Sequence, residues 1–299
     1  MTLSANNNGE FEIRKEYAVI YNWKKGISLS FFRNEKNECI GADPDVLCKV
    51  KENDFECVEL SFSHDDYFNR YHFTEGDTAE ELYHYCRSLG LELWSIHLPF
   101  SEKWDLSREN AEEALGDFEE LIKAASRADI SVAVLHPSFE PVLPEERAQR
   151  MIYAKKNIKL LNEAAKDMGV VLALENLPRT CLGNCSKEML DLLQSTDTKF
   201  IFDTNHSLLE ENSSFLSFMI DQGYCPVSLH ISDYDFSDER HELPGYGKNK
   251  WNEILDILKK AGYQGPALYE PALYHMSGEK IDLDEISQNV CDLLQGKIF

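Results

Sequence analysis

Six side chains that could bind a metal or transfer a proton end six successive short apolar runs of the sequence. They are three histidines and three carboxylates: His97, His136, Glu175, Asp203, His230 and Glu270. The intervals between them are 39, 39, 28, 27 and 40 residues, each about the length of one strand–helix unit. Because equivalent points of successive units lie side by side in a parallel sheet, we expect these side chains to converge.

The chemistry of this set favours a divalent cation. Neighbouring carboxylates raise one another's pKa unless a positive charge lies between them. Mixed nitrogen and oxygen ligands suit zinc or manganese, with magnesium or cobalt as alternatives. One strand-end histidine or glutamate alone could equally be structural, whereas six in succession point to a site. Further metal or substrate ligands are His206, three residues after Asp203, and Glu239 and His241 in the loop DERHELPGYG.

Eight apolar or β-branched runs indicate strands that are buried on both faces. They span residues 26–31, 55–62, 91–100, 131–138, 170–177, 199–206, 226–233 and 265–272. Helical periodicity lies between them, at 110–128, 144–168, from Ser186, at 210–219 and at 251–261, with Gly169 and Gly262 placed to end two helices. This alternation predicts an α/β fold, a (β/α)8 TIM barrel with eight parallel strands, whose site lies at the carboxyl ends of the strands.

No linker or low-complexity segment divides the chain. We therefore expect a polar N-terminal extension over residues 1–25, followed by a single barrel domain over residues 26–299. A barrel of about 250 residues nearly fills this length.

The charge of the chain limits its partners. Thirty Lys and Arg oppose 53 Asp and Glu, a net charge of −23, which repels nucleic acid and anionic membranes. No apolar run approaches the roughly 18 residues that span a bilayer, and no signal peptide is evident. Eight scattered cysteines indicate reduced thiols. We expect a cytoplasmic protein without a nucleic-acid or membrane partner; whether it forms a homo-oligomer is left open.

A family resemblance rests on several stretches in order between Ile27 and Ala272. They are SIHLPF…WDLS, VLHPS, LENLPRT, FDTNH, LHISDYD…ERHELPGYG, Trp251 and YEP. In these stretches the sequence resembles the xylose-isomerase-like barrel superfamily, which contains sugar phosphate isomerases and epimerases and enzymes of the AP endonuclease type. The likeness is greatest to the proteins generically called sugar phosphate isomerase/epimerase.

The resemblance implies a metal held by Glu175, Asp203, His230 and Glu270, the four-ligand pattern of the ketose epimerases. It also implies that Glu175 and Glu270 act as an acid/base pair on a small sugar or sugar phosphate. One would remove a carbon-bound proton to give an enediolate, and the other would return a proton.

The AP endonuclease branch offers an alternative, because His97, His136, His206 and His241 stand where that branch has the further histidines of a three-zinc cluster. Glu239 replaces an Asp of that branch, and Gly-Tyr-Gly replaces the usual Gly-Glu-Gly. A zinc-dependent phosphodiester hydrolase therefore stays open, although the acidic charge disfavours DNA. So do a keto-polyol dehydratase that uses the same enolate chemistry and a non-catalytic barrel that binds a sugar or partner.

Four other side chains have two interpretations each, and a fifth has one. Glu59 could line the site or pair with a buried base, and Asn176 could hold a ligand or cap its turn. Arg179 and Arg240 are the nearest cations for a substrate phosphate, or they form surface ion pairs. His275 lies outside the strand ends and is expected at the surface.

Overall fold

The computed structural model describes residues 2–5, 11–14, 21–62 and 71–299. Two short strands, β1 (Thr2–Ala5) and β2 (Phe11–Arg14), pair antiparallel with each other. The strands of the main sheet are β3 (Lys25–Ser28), β4 (Cys57–Ser61), β5 (Glu92–His97), β6 (Val132–Leu135), β7 (Val171–Glu175), β8 (Lys199–Asp203), β9 (Ser228–His230) and β10 (Ala267–Tyr269).

The main sheet curls into a ring in which all neighbours are parallel. Strands β3 to β9 pair in chain order, and β10 pairs with β3. A parallel bridge between Ile231 and Tyr269 joins β9 to β10, with the amide of Ile231 donating to the carbonyl of Leu268 at 2.8 Å. The predicted eight-stranded (β/α)8 TIM barrel is thereby confirmed, and each predicted strand falls on one of these elements.

Eight α-helices surround the ring within the described residues. They are α1 (Pro44–Glu52), α2 (Thr78–Leu89), α3 (Glu112–Arg127), α4 (Arg147–Asp167), α5 (Ser186–Thr196), α6 (Asn212–Asp221), α7 (Trp251–Ala261) and α8 (Leu283–Leu294). Gly169 (φ +75°) and Gly262 (φ +77°) follow two of them as expected. Helix α4 begins three residues later than predicted, because residues 144–146 form a turn. None of these helices is long and apolar enough to cross a membrane.

A small apolar cluster fills the barrel interior beneath the carboxyl ends of the strands. It contains Val132, Val134, Ala173 and Ile201 and is separate from the main core between sheet and helices. Because alternate residues of a strand share a face, Ala173 lies below Glu175, Ile201 below Asp203 and Val134 below His136. The same alternation of residues along each strand that fills the barrel interior with apolar side chains also directs the polar side chains at the strand ends into its open end.

The loop after β5, with the motif WDLS, is tied to helix α4 by a buried ion pair. The Nη2 group of Arg150 bonds Asp105 Oδ2 and the carbonyl of Phe139, and its Nε donates to Ser107 Oγ at 2.6 Å. Asp105 and Arg150 are each only 4% exposed. Arg108 also approaches Asp105, at 3.3 Å, but its side chain is 42% exposed. Arg150 therefore joins the loops that follow β5 and β6.

We expect Arg150→Met to lower the free energy of unfolding by about 3–5 kcal/mol, because it leaves the buried charge of Asp105 without its buried partner. Arg108→Met removes an exposed partner of the same carboxylate and should cost less than about 1 kcal/mol. Urea unfolding followed by circular dichroism measures both. Equal losses in the two variants would contradict the assignment.

Candidate metal and substrate site

The six strand-end residues of the sequence lie together at the carboxyl end of the barrel. Four of them are the last residues of β5, β7, β8 and β9, and two directly follow β6 and β10: His97, Glu175, Asp203 and His230, then His136 and Glu270. Together with the three loop ligands His206, Glu239 and His241, they form three groups of ligand atoms, each spanning no more than 4.8 Å. We call these nine residues the cup.

The first group contains Glu175, Asp203, His230 and Glu270. His230 Nδ1 lies 2.8 Å from Glu175 Oε1, 3.2 Å from Glu270 Oε2 and 3.9 Å from Asp203 Oδ2. Three of the four side chains are fully buried, while Glu270 is 17% exposed and faces the mouth. One imidazole nitrogen thus faces three carboxylates.

The other two groups adjoin the first. Nε2 of His97 and of His136 lie 3.2 and 3.1 Å from Glu175 Oε2, so that this carboxylate belongs to two groups. On the opposite side, His206 Nε2 lies 2.9 Å from Glu239 Oε1 and 3.6 Å from Asp203 Oδ2. All nine residues were predicted from the sequence as candidate ligands, and in the structure they lie together in one continuous polar cup.

Three of the histidines are oriented in the same way, each by a hydrogen bond from Nδ1 to a backbone carbonyl. Nδ1 of His97 lies 2.8 Å from the carbonyl of Leu98, that of His206 lies 2.9 Å from the carbonyl of Asn176, and that of His241 lies 3.0 Å from the carbonyl of Glu270. A carbonyl can only accept, so Nδ1 carries the proton in each ring. In a neutral ring Nε2 is then a bare lone pair. At His97 and His206 this lone pair would face a carboxylate oxygen, unless a proton or a cation lies between them.

Asn176 connects strands β7 and β8 beneath the cup. Its Nδ2 donates to the carbonyl of Asp203 at 2.9 Å, and its Oδ1 accepts from the amide of Asp203 at 2.8 Å. Because both ends of the amide are engaged with backbone, Asn176 positions Asp203 and His206 rather than holding a substrate hydroxyl.

Asp233 anchors the long loop that carries Glu239 and His241. Its Oδ2 accepts hydrogen bonds from the amide of Gly245 and from Trp251 Nε1, both at 2.9 Å. A Cβ at Gly247 would lie 2.3 Å from Asp233 Oδ1, so the Gly-Tyr-Gly turn needs a glycine there. This turn is therefore a structural support of the loop.

Arg179 also fixes the long loop. Its guanidinium bonds Glu239 Oε2 at 2.5 Å, and Asp238 and Glu140 at 2.9 Å each. The sequence allowed a phosphate contact or an ion pair at this residue, and the structure shows three ion pairs. Arg240 likewise approaches a carboxylate, that of Asp235, at 3.7 Å.

The electrostatics of the cup fit a divalent cation. Burial, only partly offset by His206, raises the pKa of Asp203 to about 7, and its buried Oδ2 has no hydrogen-bond partner among the described residues. Burial disfavours the charged form of His206, but Asp203 and the hydrogen-bonded Glu239 raise its pKa to about 10. Burial lowers the pKa of His136 to about 4. A cation would bind the unpartnered oxygen and relieve the repulsion among the carboxylates.

A cavity of about 290 Å³ opens at the mouth of the cup. Phe31, Arg33 and Phe100 line it together with His241 and Glu270. The ring of Phe100 stacks on that of His136, with centroids 4.2 Å apart and an interplanar angle of 23°. Apolar walls with a few convergent polar groups are typical of small-molecule sites. These three lining residues were not among the site residues predicted from the sequence, although Phe100 ends the motif SIHLPF.

His275 is buried, which corrects the expectation that it lies at the surface. Its Nδ1 lies 2.5 Å from Glu242 Oε1 and its Nε2 3.1 Å from Glu285 Oε1. The two carboxylates compensate the loss of water, so this imidazole pins the loop after β10 to the long loop after β9 and to helix α8.

Residues 47–287 match the family described as xylose isomerase-like TIM barrel. The chain belongs to the xylose isomerase-like TIM barrel family. The resemblance inferred from the motifs is thus confirmed over most of the chain.

Curated relatives with a similar sequence include an uncharacterized protein and a sugar epimerase. It is 28% identical over 184 residues to an uncharacterized protein of Methanocaldococcus jannaschii, MJ1311, covering 57% of this chain and 61% of that protein. It is 26% identical over 236 residues to a D-psicose 3-epimerase of Enterocloster bolteae, covering 75% and 74%.

Among solved structures, a D-psicose 3-epimerase from Clostridium cellulolyticum H10, crystallised with D-tagatose, shares the fold. Its TM-score is 0.72 at 19% identity, covering 92% of this chain and 98% of that one. At this identity the likeness shows the shared fold.

We expect Zn²⁺ or Mn²⁺ to stabilise the metal-stripped protein. At a free concentration of 100 times Kd, binding to the folded state alone adds about 2.7 kcal/mol to the free energy of unfolding. Asp203→Asn should abolish most of this gain, because it removes a carboxylate of the first group. Asp197→Asn makes the same change at a side chain that is 87% exposed and should keep the gain. Thermal unfolding with and without metal measures it, and an undiminished gain in Asp203→Asn contradicts the site.

Proposed function

We propose that the protein is a divalent-metal-dependent isomerase or epimerase of a small sugar or sugar phosphate. The observation that carries this proposal is the pair Glu175 and Glu270, whose carboxylates both lie within hydrogen-bonding distance of His230 Nδ1. Glu270 also lines the cavity at the mouth. Two carboxylates beside one ligand group can remove and return a proton at the same carbon. The D-psicose 3-epimerases among the relatives support this reaction class.

In this proposal Glu175, Asp203, His230 and Glu270 hold the metal. When bound, a divalent cation supplies Lewis-acid polarisation of a carbonyl and its neighbouring hydroxyl. One glutamate takes the proton from the carbon next to the carbonyl, which leaves an enediolate. The other glutamate delivers a proton to the opposite face, giving the epimer, or to the neighbouring carbon, giving the isomer.

Residues at the mouth position the substrate. Phe100 and Phe31 provide apolar walls that exclude water from the proton transfer. Arg33 also lines the cavity, and its Nη1 donates to the carbonyl of Asn37 at 3.1 Å. Since Arg179 and Arg240 are engaged with carboxylates, Arg33 is the guanidinium that a phosphorylated sugar would meet in this cavity.

Proton exchange tests the acid/base pair. Wild-type protein with metal, incubated with ketoses and ketose phosphates in deuterated water, should incorporate deuterium at the carbon next to the carbonyl. Glu175→Gln and Glu270→Gln should each slow this exchange by about 10²–10⁴-fold, because an amide cannot accept the proton. Mass spectrometry and NMR of the sugar measure it.

Metal analysis of both variants controls for loss of the metal, and Glu211→Gln, on an exposed carboxylate that pairs with Lys250, controls for charge. If neither variant slows exchange, the mechanism is wrong. Loss of one water from the product would instead identify a keto-polyol dehydratase that uses the same proton abstraction.

A zinc-dependent phosphodiester hydrolase of the AP endonuclease type is the second candidate. The observation that favours it is that Glu175 and Asp203 connect the first group to the other two. The Nε2 lone pairs of His97 and His206 face carboxylates, an arrangement that two further cations would satisfy. Adjacent metals can stabilise both the attacking and the leaving oxygen of a phosphoryl group. The net charge of −23 opposes a polynucleotide substrate.

Metal stoichiometry distinguishes the two candidates. The isomerase proposal expects about one tightly held metal per chain, with His97 and His206 protonated, and no hydrolysis of bis(p-nitrophenyl) phosphate. The hydrolase expects about three metals and turnover of that ester. Elemental analysis after dialysis measures the ratio. His136→Gln should leave the ratio unchanged in the first case and reduce it in the second.

A further inference from the structure

Glu59 lies in the barrel interior on the side of His230 away from the cup. It is fully buried in strand β4. Its Oε1 and Oε2 lie 3.0 and 3.2 Å from His230 Nε2, and Oε2 accepts a hydrogen bond from Ser95 Oγ at 2.7 Å. Glu59 thus contacts the ring edge opposite to the one that faces Glu175.

Burial of this carboxylate needs an explanation beyond packing. A carboxylate removed from water costs several kcal/mol, and an apolar side chain fills such a position at least as well. Within the described residues, His230 is the ionisable group in ion-pair distance of Glu59. Its Oε1 has no other polar partner. The carboxylate therefore acts on His230.

A histidine that binds a metal is neutral and keeps one proton, and two carboxylates compete for that proton at His230. Glu175 Oε1 lies 2.8 Å from Nδ1, and Glu59 lies 3.0 Å from Nε2. If Glu175 alone were present, it would draw the proton to Nδ1, and this nitrogen could not bind a metal. Glu59 draws the proton to Nε2 and leaves the Nδ1 lone pair directed at Glu175, Asp203 and Glu270.

We propose that Glu59 is a positioning residue that fixes the Nε2–H tautomer of His230 and so prepares Nδ1 as a metal ligand. This inference rests on the metal site of the proposed function. Ser95 supports it by holding Glu59 Oε2, and strand pairing fixes the geometry because Glu59 and Ser95 are register partners. Of the two sequence interpretations of Glu59, the structure favours pairing with a buried base, and it gives that pair a role.

The tautomer itself can be measured in the wild-type protein. Although burial disfavours the charged ring, Glu59, Glu175 and Glu270 raise the pKa of His230 well above its usual value, which favours the imidazolium in the metal-stripped protein. The tautomer is therefore measured with Zn²⁺ bound: in wild-type protein labelled with ¹⁵N-histidine, we expect His230 to show a protonated Nε2 and an unprotonated Nδ1 in long-range ¹H–¹⁵N correlation spectra. His230→Gln assigns the signal by its loss. A proton on Nδ1 in the neutral ring would overturn the proposal.

Metal affinity tests the consequence. Glu59→Met should raise the Kd for Zn²⁺ by about 10–100-fold in competition with a chromophoric chelator. Glu59→Gln retains an acceptor oxygen and should give a smaller increase, and Ser95→Ala should raise Kd by less than about tenfold. Urea unfolding of the metal-stripped variants reports separately on stability. If Glu59→Met does not fold, the comparison rests on Glu59→Gln and the wild-type tautomer.

These readouts are independent of turnover. An unchanged Kd in a folded Glu59→Met variant would show that Glu59 is only structural. Conversely, weakened metal binding in a protein that turns over no sugar leaves this inference intact and removes the proposed function.

Discussion

The common direction of eight parallel strands is the constraint on which the rest of the structure depends. It brings every strand end to one side of the barrel, so residues separated by tens of positions become neighbours. The two-residue alternation along each strand then divides the interior into an apolar lower part and a polar cup. A shift of one residue in β7 or β8 would turn Glu175 or Asp203 out of the barrel and bring an apolar neighbour in. Strand register therefore determines which side chains face the cup.

Concentrating carboxylates in this way is unfavourable unless each one is fixed in position and its negative charge is compensated. Asn176 holds Asp203 from the backbone side, Arg179 holds Glu239 from the solvent side, and Glu59 acts on His230 from below. Buried groups outside the nine candidate ligands thus determine where the ligand atoms point. The ion pair between Asp105 and Arg150 extends this support to the loops after β5 and β6. The positions of the ligand atoms in the cup are therefore determined by the surrounding residues.

The parts of this arrangement that sequence alone could predict are those that depend on local pattern. Apolar runs mark the eight strands, and a polar residue near the end of six of these runs marks the cup. The strands and the convergence of residues such as His97 and Glu270 could therefore be predicted. Contacts that depend on three-dimensional packing could not be predicted from the sequence. Glu59 and His230 are separated by 171 positions, and nothing in either run indicates that they meet. The burial of His275 depends in the same way on carboxylates contributed by another loop and by helix α8.

The orientation of the histidines explains why the ligand set did not separate isomerase from hydrolase. With Nδ1 of His97 and His206 donating to backbone carbonyls, each Nε2 meets a carboxylate through either a proton or a cation. In the protonated form only the group at His230 would hold a metal, and Glu175 Oε2 would face a hydrogen-bond donor rather than a second cation, so this carboxylate would remain available for proton transfer. In the metallated form Glu175 would serve both of its ligand groups and would not be available as a base. The same side chains in the same places would therefore suit either chemistry, depending on whether a proton or a cation occupies the two imidazole–carboxylate contacts.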